Sequence, residues 1–221
     1  MASAISHIVY AKKYFDRMKS GELRNEFSDP GVNRYLLKNK DEFILGAVFP
    51  DIRRICNNIK RSDTHSAFEI IDLNFEGLTA FQSGWKFHLY CDMRREEILN
   101  KYGFYSIKGA ADHCCGSAKL LEDELVYDRY DNWEKLVCYF NNSSKIEVDL
   151  GALVARPTLD LWYAILAKYM ERKPDEKSMH IFLSKLPSLA EKADEVIESI
   201  ERLRKKEKAV EILRGVMREI V

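Results

Sequence analysis

The stretch GLTAFQSGWKFHLYCDMRREEILNKYG, residues 77–103, decides the fold class of this chain. From about Leu78 to Lys101 its apolar residues recur at helical spacing, and Gly103 is a typical helix end. The same spacing continues on both sides of this stretch, while proline (5) and glycine (10) are scarce in the 221 residues. We therefore predict an all-α, single-domain multi-helix bundle covering residues 1–221.

Other helices are predicted from the same periodicity, with turn residues marking their ends. They run from Ser6 to Lys19, Asn33 to Lys40, Ala110 to Tyr130, Trp133 to Phe140, and from Pro157 through Tyr169. The polar residues 57–65 are predicted as a loop in which Asp63 or Thr64 caps the next helix. Ile146 to Val154 is the only stretch predicted as a strand.

The C-terminal segment from Pro187 to Val221 is predicted as one long amphipathic helix. Its apolar residues step by three and four, with one missed turn at Glu207, and charged residues fill the other face. Such a stripe is typical of an outer helix packed on its own domain, here on residues 1–140. Dimerisation through this helix as a coiled coil is the alternative, so the chain is expected to be a monomer or a homodimer.

Composition excludes several classes of protein. Lys and Arg together number 35, as do Asp and Glu, so no basic patch for nucleic acid is indicated. The five cysteines include no CxxC pair, which favours reduced thiols in the cytoplasm. No apolar run approaches the roughly 20 residues of a membrane span, and the N-terminal segment lacks the apolar core of a signal peptide. A cytoplasmic location follows as an expectation.

The helix quoted above carries the clearest candidate for chemistry, His88 and Asp92. Four residues apart, the two side chains lie on one helical face and can bind the same metal ion. Gly84 lies one turn before His88 on that face, and we expect it to leave the empty volume that a pocket needs. A surface salt bridge between His88 and Asp92 is the alternative interpretation.

Further histidines and carboxylates occur in separate segments. His7 lies near the start of the first helix, Asp51 follows the apolar segment 43–49, and His65 follows the polar loop. Helical bundles build interior metal sites by combining ligands from several helices in this way. A mixed shell of imidazoles and carboxylates suits zinc, with manganese or iron possible.

These segments resemble the zinc-dependent phospholipase C family of helical hydrolases, a fold shared by single-strand-specific zinc nucleases. The resemblance covers roughly residues 1–95 and is carried by ISH7, GAVFPD51, TH65 and GWKFHLYCD92. It implies one to three zinc ions bound by His7, Asp51, His65, His88 and Asp92. It also implies that these ions hold a phosphoester and activate a water, with Asp51 as bridging carboxylate or general base and Asp92 in the catalytic centre.

One departure from that family concerns a later pair written H-x-x-x-E. The corresponding residues here are Lys119 and Asp123, and lysine is not a usual zinc ligand. Either His113 compensates as a ligand or the site holds fewer ions; a partly buried helical histidine is the alternative for His113. Lys119 could instead bind substrate phosphate, while Asp123 or Asp128 orients a histidine.

Arg53 and Arg54 directly follow Asp51 and are candidate phosphate clamps, because a guanidinium matches two phosphate oxygens. An exposed basic turn is the alternative. The predicted function is a metal-dependent hydrolase of a phosphoester substrate, either a small soluble phosphodiester or phosphomonoester or a phospholipid-like molecule. The competing hypothesis is a non-catalytic helical protein with a vestigial or structural metal site that binds a partner protein.

Overall fold

A computed structural model describes residues 4–23, 29–112, 116–143 and 153–221 of the chain. These ranges contain twelve α-helices and no strand, which confirms the predicted all-α class. The helices are α1 Ala4–Ser20, α2 Pro30–Lys38, α3 Lys40–Val48, α4 Arg61–His65, α5 Ala80–Lys101, α6 Gly116–Val126, α7 Trp133–Asn141, α8 Arg156–Met170, α9 Glu176–Ser184, α10 Pro187–Ala190, α11 Ala193–Arg204 and α12 Glu207–Glu219. The stretch predicted as strand lies almost entirely outside the described residues.

Helix α5 is the central element, and its limits follow from its sequence. Thr79 accepts a hydrogen bond from the Gln82 amide, and the Gln82 side chain accepts one from the Thr79 amide. This reciprocal pair satisfies two amides that a helix start leaves without partners. The helix ends before Gly103, whose φ of +64° places it in the left-handed region that favours glycine.

Helices α3 and α5 pack along each other at very short range, and two glycines make this possible. A Cβ atom on Gly84 would lie 1.9 Å from the Phe43 carbonyl oxygen, and one on Gly46 would lie 2.0 Å from the Phe81 carbonyl oxygen. The expectation that Gly84 leaves space for a pocket was therefore wrong. The backbone of α3 fills that space. Because neither Gly84 nor Gly46 has a side chain, the two helices can approach each other this closely.

Replacing Gly84 by alanine is expected to destabilise the protein by about 1–3 kcal/mol, because the added methyl group meets backbone that cannot rotate away. Gly215 in α12 offers a matched control, since its added Cβ would meet only the Arg218 side chain at 3.6 Å. Gly215→Ala is expected to stabilise the helix by about 0.5–1 kcal/mol. Urea unfolding of both variants measures the difference; equal effects would contradict this account of the α3–α5 contact.

Two predicted elements differ in the structure, and one observed helix was not predicted. The polar residues 57–65 include the short helix α4, in which Asp63 accepts a hydrogen bond from the Lys60 amide; Thr79, not Asp63 or Thr64, caps the next long helix. Helix α6 is shorter than the predicted Ala110–Tyr130. Helix α9 was not predicted, although Asp175 caps its first turn in the usual way.

The C-terminal segment forms α10, α11 and α12 instead of one continuous helix. The helix breaks before Glu207, at the missed turn in the apolar stripe. The chain turns there, and the apolar stripe begins again in α12. Helices α11 and α12 pack on α6, and α12 also packs on α5. Their apolar residues, among them Val196, Leu203, Leu213 and Val216, are buried within the chain. The stripe therefore serves internal packing.

No described helix combines the length and the apolar character that crossing a bilayer requires.

Candidate metal centre

Five of the predicted ligands meet in the interior of the fold. His7 comes from α1, Asp51 from the 3₁₀ helix Phe49–Arg54, His65 from the end of α4, and His88 and Asp92 from α5. Their ligand atoms form two overlapping groups, His7/His88/Asp92 and Asp51/His65/His88, each with all atoms within 4.8 Å of one another. The predicted convergence of these side chains is thus present.

The Asp92 carboxylate lies at the middle of the three imidazoles. Its oxygens are 3.6 Å from Nε2 of His7, 3.8 Å from Nε2 of His65 and 3.7 Å from Nε2 of His88. These separations exceed the usual hydrogen-bond range. They are close to the spacing of about 3.3–3.4 Å between tetrahedral ligands that each lie about 2.0–2.1 Å from a zinc ion. The geometry therefore fits coordination better than direct pairing.

Hydrogen bonds orient two of the histidines for ligation. Nδ1 of His88 lies 2.8 Å from the Ala47 carbonyl oxygen, which can only accept, so Nδ1 carries the proton. Nδ1 of His65 lies 2.9 Å from Oγ1 of Thr64, a hydroxyl that can donate or accept. In neutral His88, Nε2 is left with its lone pair, as is usual for metal-binding histidines.

Several buried ligand atoms have no hydrogen bond within the part of the chain that the structure describes. They are Nδ1 and Nε2 of His7, Nε2 of His65, Nε2 of His88 and Oδ1 of Asp51. Buried polar atoms normally find a partner, because losing hydration without one costs free energy. The residues concerned belong to the two overlapping groups that share His88, and imidazole nitrogens and carboxylate oxygens of this kind suit a divalent cation.

The end of α3 places Asp51. Pro50 interrupts the α-helical hydrogen bonding, and the chain continues as the 3₁₀ helix that carries Asp51. Side chains satisfy the last carbonyl groups of α3: Nε1 of Trp162 donates to Val48 at 3.0 Å, and the Tyr163 hydroxyl donates to Leu45 at 3.1 Å. Helix α8 therefore fixes the turn that presents the carboxylate.

Helix α1 is fixed on both sides of His7 by two adjacent carboxylates of α6. Asp123 accepts hydrogen bonds from the amide and hydroxyl of Ser6, both at 2.7 Å. Glu122 accepts one from the Tyr10 hydroxyl and one from Nε of Arg95, the latter at 2.7 Å. Asp123 therefore holds the segment of α1 that carries His7, and its predicted direct contact with a histidine stays a prediction.

The two carboxylates of the centre are held in their ionised form. Burial raises the pKa of Asp51, but Arg54 and His88 outweigh it and bring the pKa down to about 2. Burial also raises the pKa of Asp92, and the neighbouring His7 and His88 lower it well below its usual range. A general base works best with a pKa near the operating pH, so Asp51 fits the role of metal ligand better than that of base.

Burial and neighbouring imidazoles keep His65 and His88 neutral near pH 7. Burial lowers the pKa of His88, and His7 lowers it further, to about 4. Burial and His88 likewise lower the pKa of His65 to about 4. Neutral imidazole is the form that binds metal, so protons compete little for these two ligands near neutral pH.

A pH dependence of stability follows for the metal-free protein. Unfolded histidine titrates near 6.5, so between about pH 4 and 6.5 the unfolded chain binds protons that folded His65 and His88 do not. The contribution of these two histidines to the free energy of unfolding is complete above about pH 6.5. It declines toward pH 4, by up to about 1.4 kcal/mol per pH unit for each residue. Urea unfolding across this range measures the slope. We expect His88→Gln to flatten it and His180→Gln, at an exposed position, to leave it unchanged.

Three cationic side chains lie close to the centre. Nη2 of Arg53 is 3.7 Å and Nε of Arg54 is 3.3 Å from Oδ1 of Asp51. Lys119 and Arg54 line a cavity that also reaches His7, Asp51 and His88. The predicted phosphate-binding residues are thus near the predicted ligands.

One predicted site residue lies away from the centre, and another falls outside the described residues. Asp128 lies at the surface with its carboxylate 70% exposed, where it pairs with Lys173, so it orients none of the described histidines. His113 is the residue outside the described ranges. Sequence reasoning missed Arg95, Glu122 and Tyr10. The signal for Arg95 and Glu122 was a charged residue at a position of α5 or α6 that faces the interior, and Tyr10 gave no such signal.

Comparisons with models of protein families, with curated proteins and with solved structures give no match to this chain. The resemblance to zinc-dependent phospholipases C therefore stays a prediction.

Proposed function

We propose that this protein is a metal-dependent hydrolase that acts on phosphoesters, with the resemblance to zinc-dependent phospholipases C as a supporting argument. The observation that carries the proposal is the set of buried ligand atoms without hydrogen bonds, at His7, His65 and His88, around the Asp92 carboxylate. Zinc is the cofactor that this ligand set favours. Manganese and iron accept the same ligand types.

A bound divalent ion supplies an acidic water and a positive charge beside the phosphoryl oxygens. The chain's own residues supply the remaining requirements. Asp51 and Asp92 stay ionised and hold charge at the centre, and Arg54 lies where its guanidinium can bind a phosphoryl oxygen. In the overall reaction the oxygen of water bonds to phosphorus, the P–O bond to the alcohol breaks, and the alcohol oxygen takes a proton.

The proposal is tested by measuring the rate of hydrolysis with protein whose metal content is known. Purified protein is stripped with a chelator, reloaded with zinc, manganese or iron, and assayed on 4-nitrophenyl phosphate and bis(4-nitrophenyl) phosphate. We expect hydrolysis that depends on metal and falls at least about 100-fold in Asp51→Asn, because the variant loses a charged ligand of an ion whose charge stabilisation is worth several kcal/mol. Asp128→Asn, at an exposed carboxylate, is the control.

The competing hypothesis makes a different prediction for the same assay. A non-catalytic protein with a structural metal would bind zinc with normal stoichiometry, yet hydrolyse neither substrate faster than Asp51→Asn does. That result would overturn the proposed hydrolase.

A further inference from the structure

Two groups of residues with different chemistry line the cavity beside the metal centre. The first group, called here the polar end, consists of His7, Asp51, His88, Arg54 and Lys119. The second group, called here the apolar end, comes from the C-terminal half of the chain, namely Trp162, Phe182, Leu183, Leu186, Leu189 and Val196. A ligand that fits both ends carries a charged group and an apolar group on neighbouring atoms.

Lys119 is a largely buried cation in the wall of this cavity. The residue is 5% exposed, and none of the described residues forms a hydrogen bond or ion pair with its ammonium group. An anion in the cavity would supply the partner that this ammonium group lacks among them. Lys119 also lies in the first turn of α6, the helix end whose partial positive charge favours anions.

The balance of charge favours an anion with more than one negative charge. Among the described residues that line the cavity, Arg54 and Lys119 are basic and Asp51 is acidic. These side chains carry an excess of one positive charge before any metal binds, and one divalent ion would raise the excess to three. A phosphomonoester dianion compensates an excess of three better than a phosphodiester, which carries a single negative charge.

We propose that the cavity binds a phosphomonoester, with Lys119 and Arg54 holding oxygens of the phosphoryl dianion and the apolar end holding its ester group. This inference rests on the proposed function and names its substrate class. A diester would have to place a second ester group at the polar end, where the described side chains are charged or ligand-forming.

Equilibrium binding tests the inference without relying on turnover. Calorimetry on metal-free and on zinc-loaded protein would compare phenyl phosphate, its methyl diester and glycerol phosphate. In the zinc-loaded protein we expect phenyl phosphate to bind at least about 10-fold more tightly than either, because the diester loses one charge and glycerol phosphate loses the apolar group. In Lys119→Met, binding of phenyl phosphate should weaken by about 10- to 100-fold, the range expected for a lost hydrogen bond to a charged group.

Matched variants separate a local effect from misfolding. Lys119→Arg keeps the charge and should retain most of the affinity, while Lys101→Met removes an exposed lysine and should change nothing. Unchanged binding in Lys119→Met, or a diester that binds as tightly as phenyl phosphate, would overturn the inference. Metal-dependent hydrolysis that prefers the diester would refute this substrate class but leave the hydrolase standing. Discrimination of the dianion without any turnover would refute the hydrolase but support the binding site.

Discussion

Replacing His88 by alanine is expected to lower the affinity for zinc by about 100- to 1,000-fold. His88 is the one ligand common to both groups of candidate metal-binding residues. Structural zinc sites bind with about 10–16 kcal/mol, so each of four ligands accounts for about 2.5–4 kcal/mol. Every 1.4 kcal/mol corresponds to a factor of ten in affinity. Competition with a chelating dye measures the change.

Two further variants make this result specific. Asp92→Asn keeps the shape of the side chain but removes the charge of the central carboxylate, and it should weaken zinc binding to a similar degree. His180→Ala removes an exposed histidine that pairs with Asp194, and its zinc affinity should equal that of the wild type. Zinc affinity that survives both His88→Ala and Asp92→Asn would show that the ion binds elsewhere.

Replacing Arg95 by methionine is expected to destabilise the protein by about 3–5 kcal/mol. Arg95 and Glu122 are 2% and 0% exposed, and the Tyr10 hydroxyl donates to the same carboxylate. Burial lowers the pKa of Arg95, but Glu122 and Tyr10 outweigh it and raise that pKa. Removing one partner of a buried ion pair leaves the other charge uncompensated, which is the source of the large cost.

Neighbouring residues provide the controls for this second prediction. Arg94 pairs with Glu97 at the surface, so Arg94→Met should change the free energy of unfolding by less than about 1 kcal/mol. The double variant Arg95→Met/Glu122→Gln should recover part of the loss, because no charge is then left unpaired. Urea unfolding of metal-free protein measures all three. A loss in Arg95→Met no larger than that in Arg94→Met would contradict the assigned role.

The helical class and the pair His88 and Asp92 were predictable because their signals are local. The two residues stand four positions apart on a strongly periodic helix, and the same periodicity indicates the all-α class. The choice of His7, Asp51 and His65 as their companions rested on suitable residue types in separate segments and on the resemblance to zinc-dependent phospholipases C.

Features that depend on contacts between distant segments were not predictable in this way. The role of Gly84 is set by Gly46, 38 positions earlier, whose helix fills the space expected to be a pocket. The apolar end of the cavity comes from α8 to α11, and nothing in their sequences links them to the ligands. Asp128 has a suitable residue type, but the fold places it at the surface.

An anomalous difference map at the zinc absorption edge, from crystals of zinc-loaded protein, tests the central claim most directly. We predict a peak within bonding distance of Nε2 of His88, about 2.0–2.1 Å, with further ligands drawn from His7, Asp51, His65 and Asp92. A map with no peak among these five side chains, or with zinc bound only at the surface, would contradict the account.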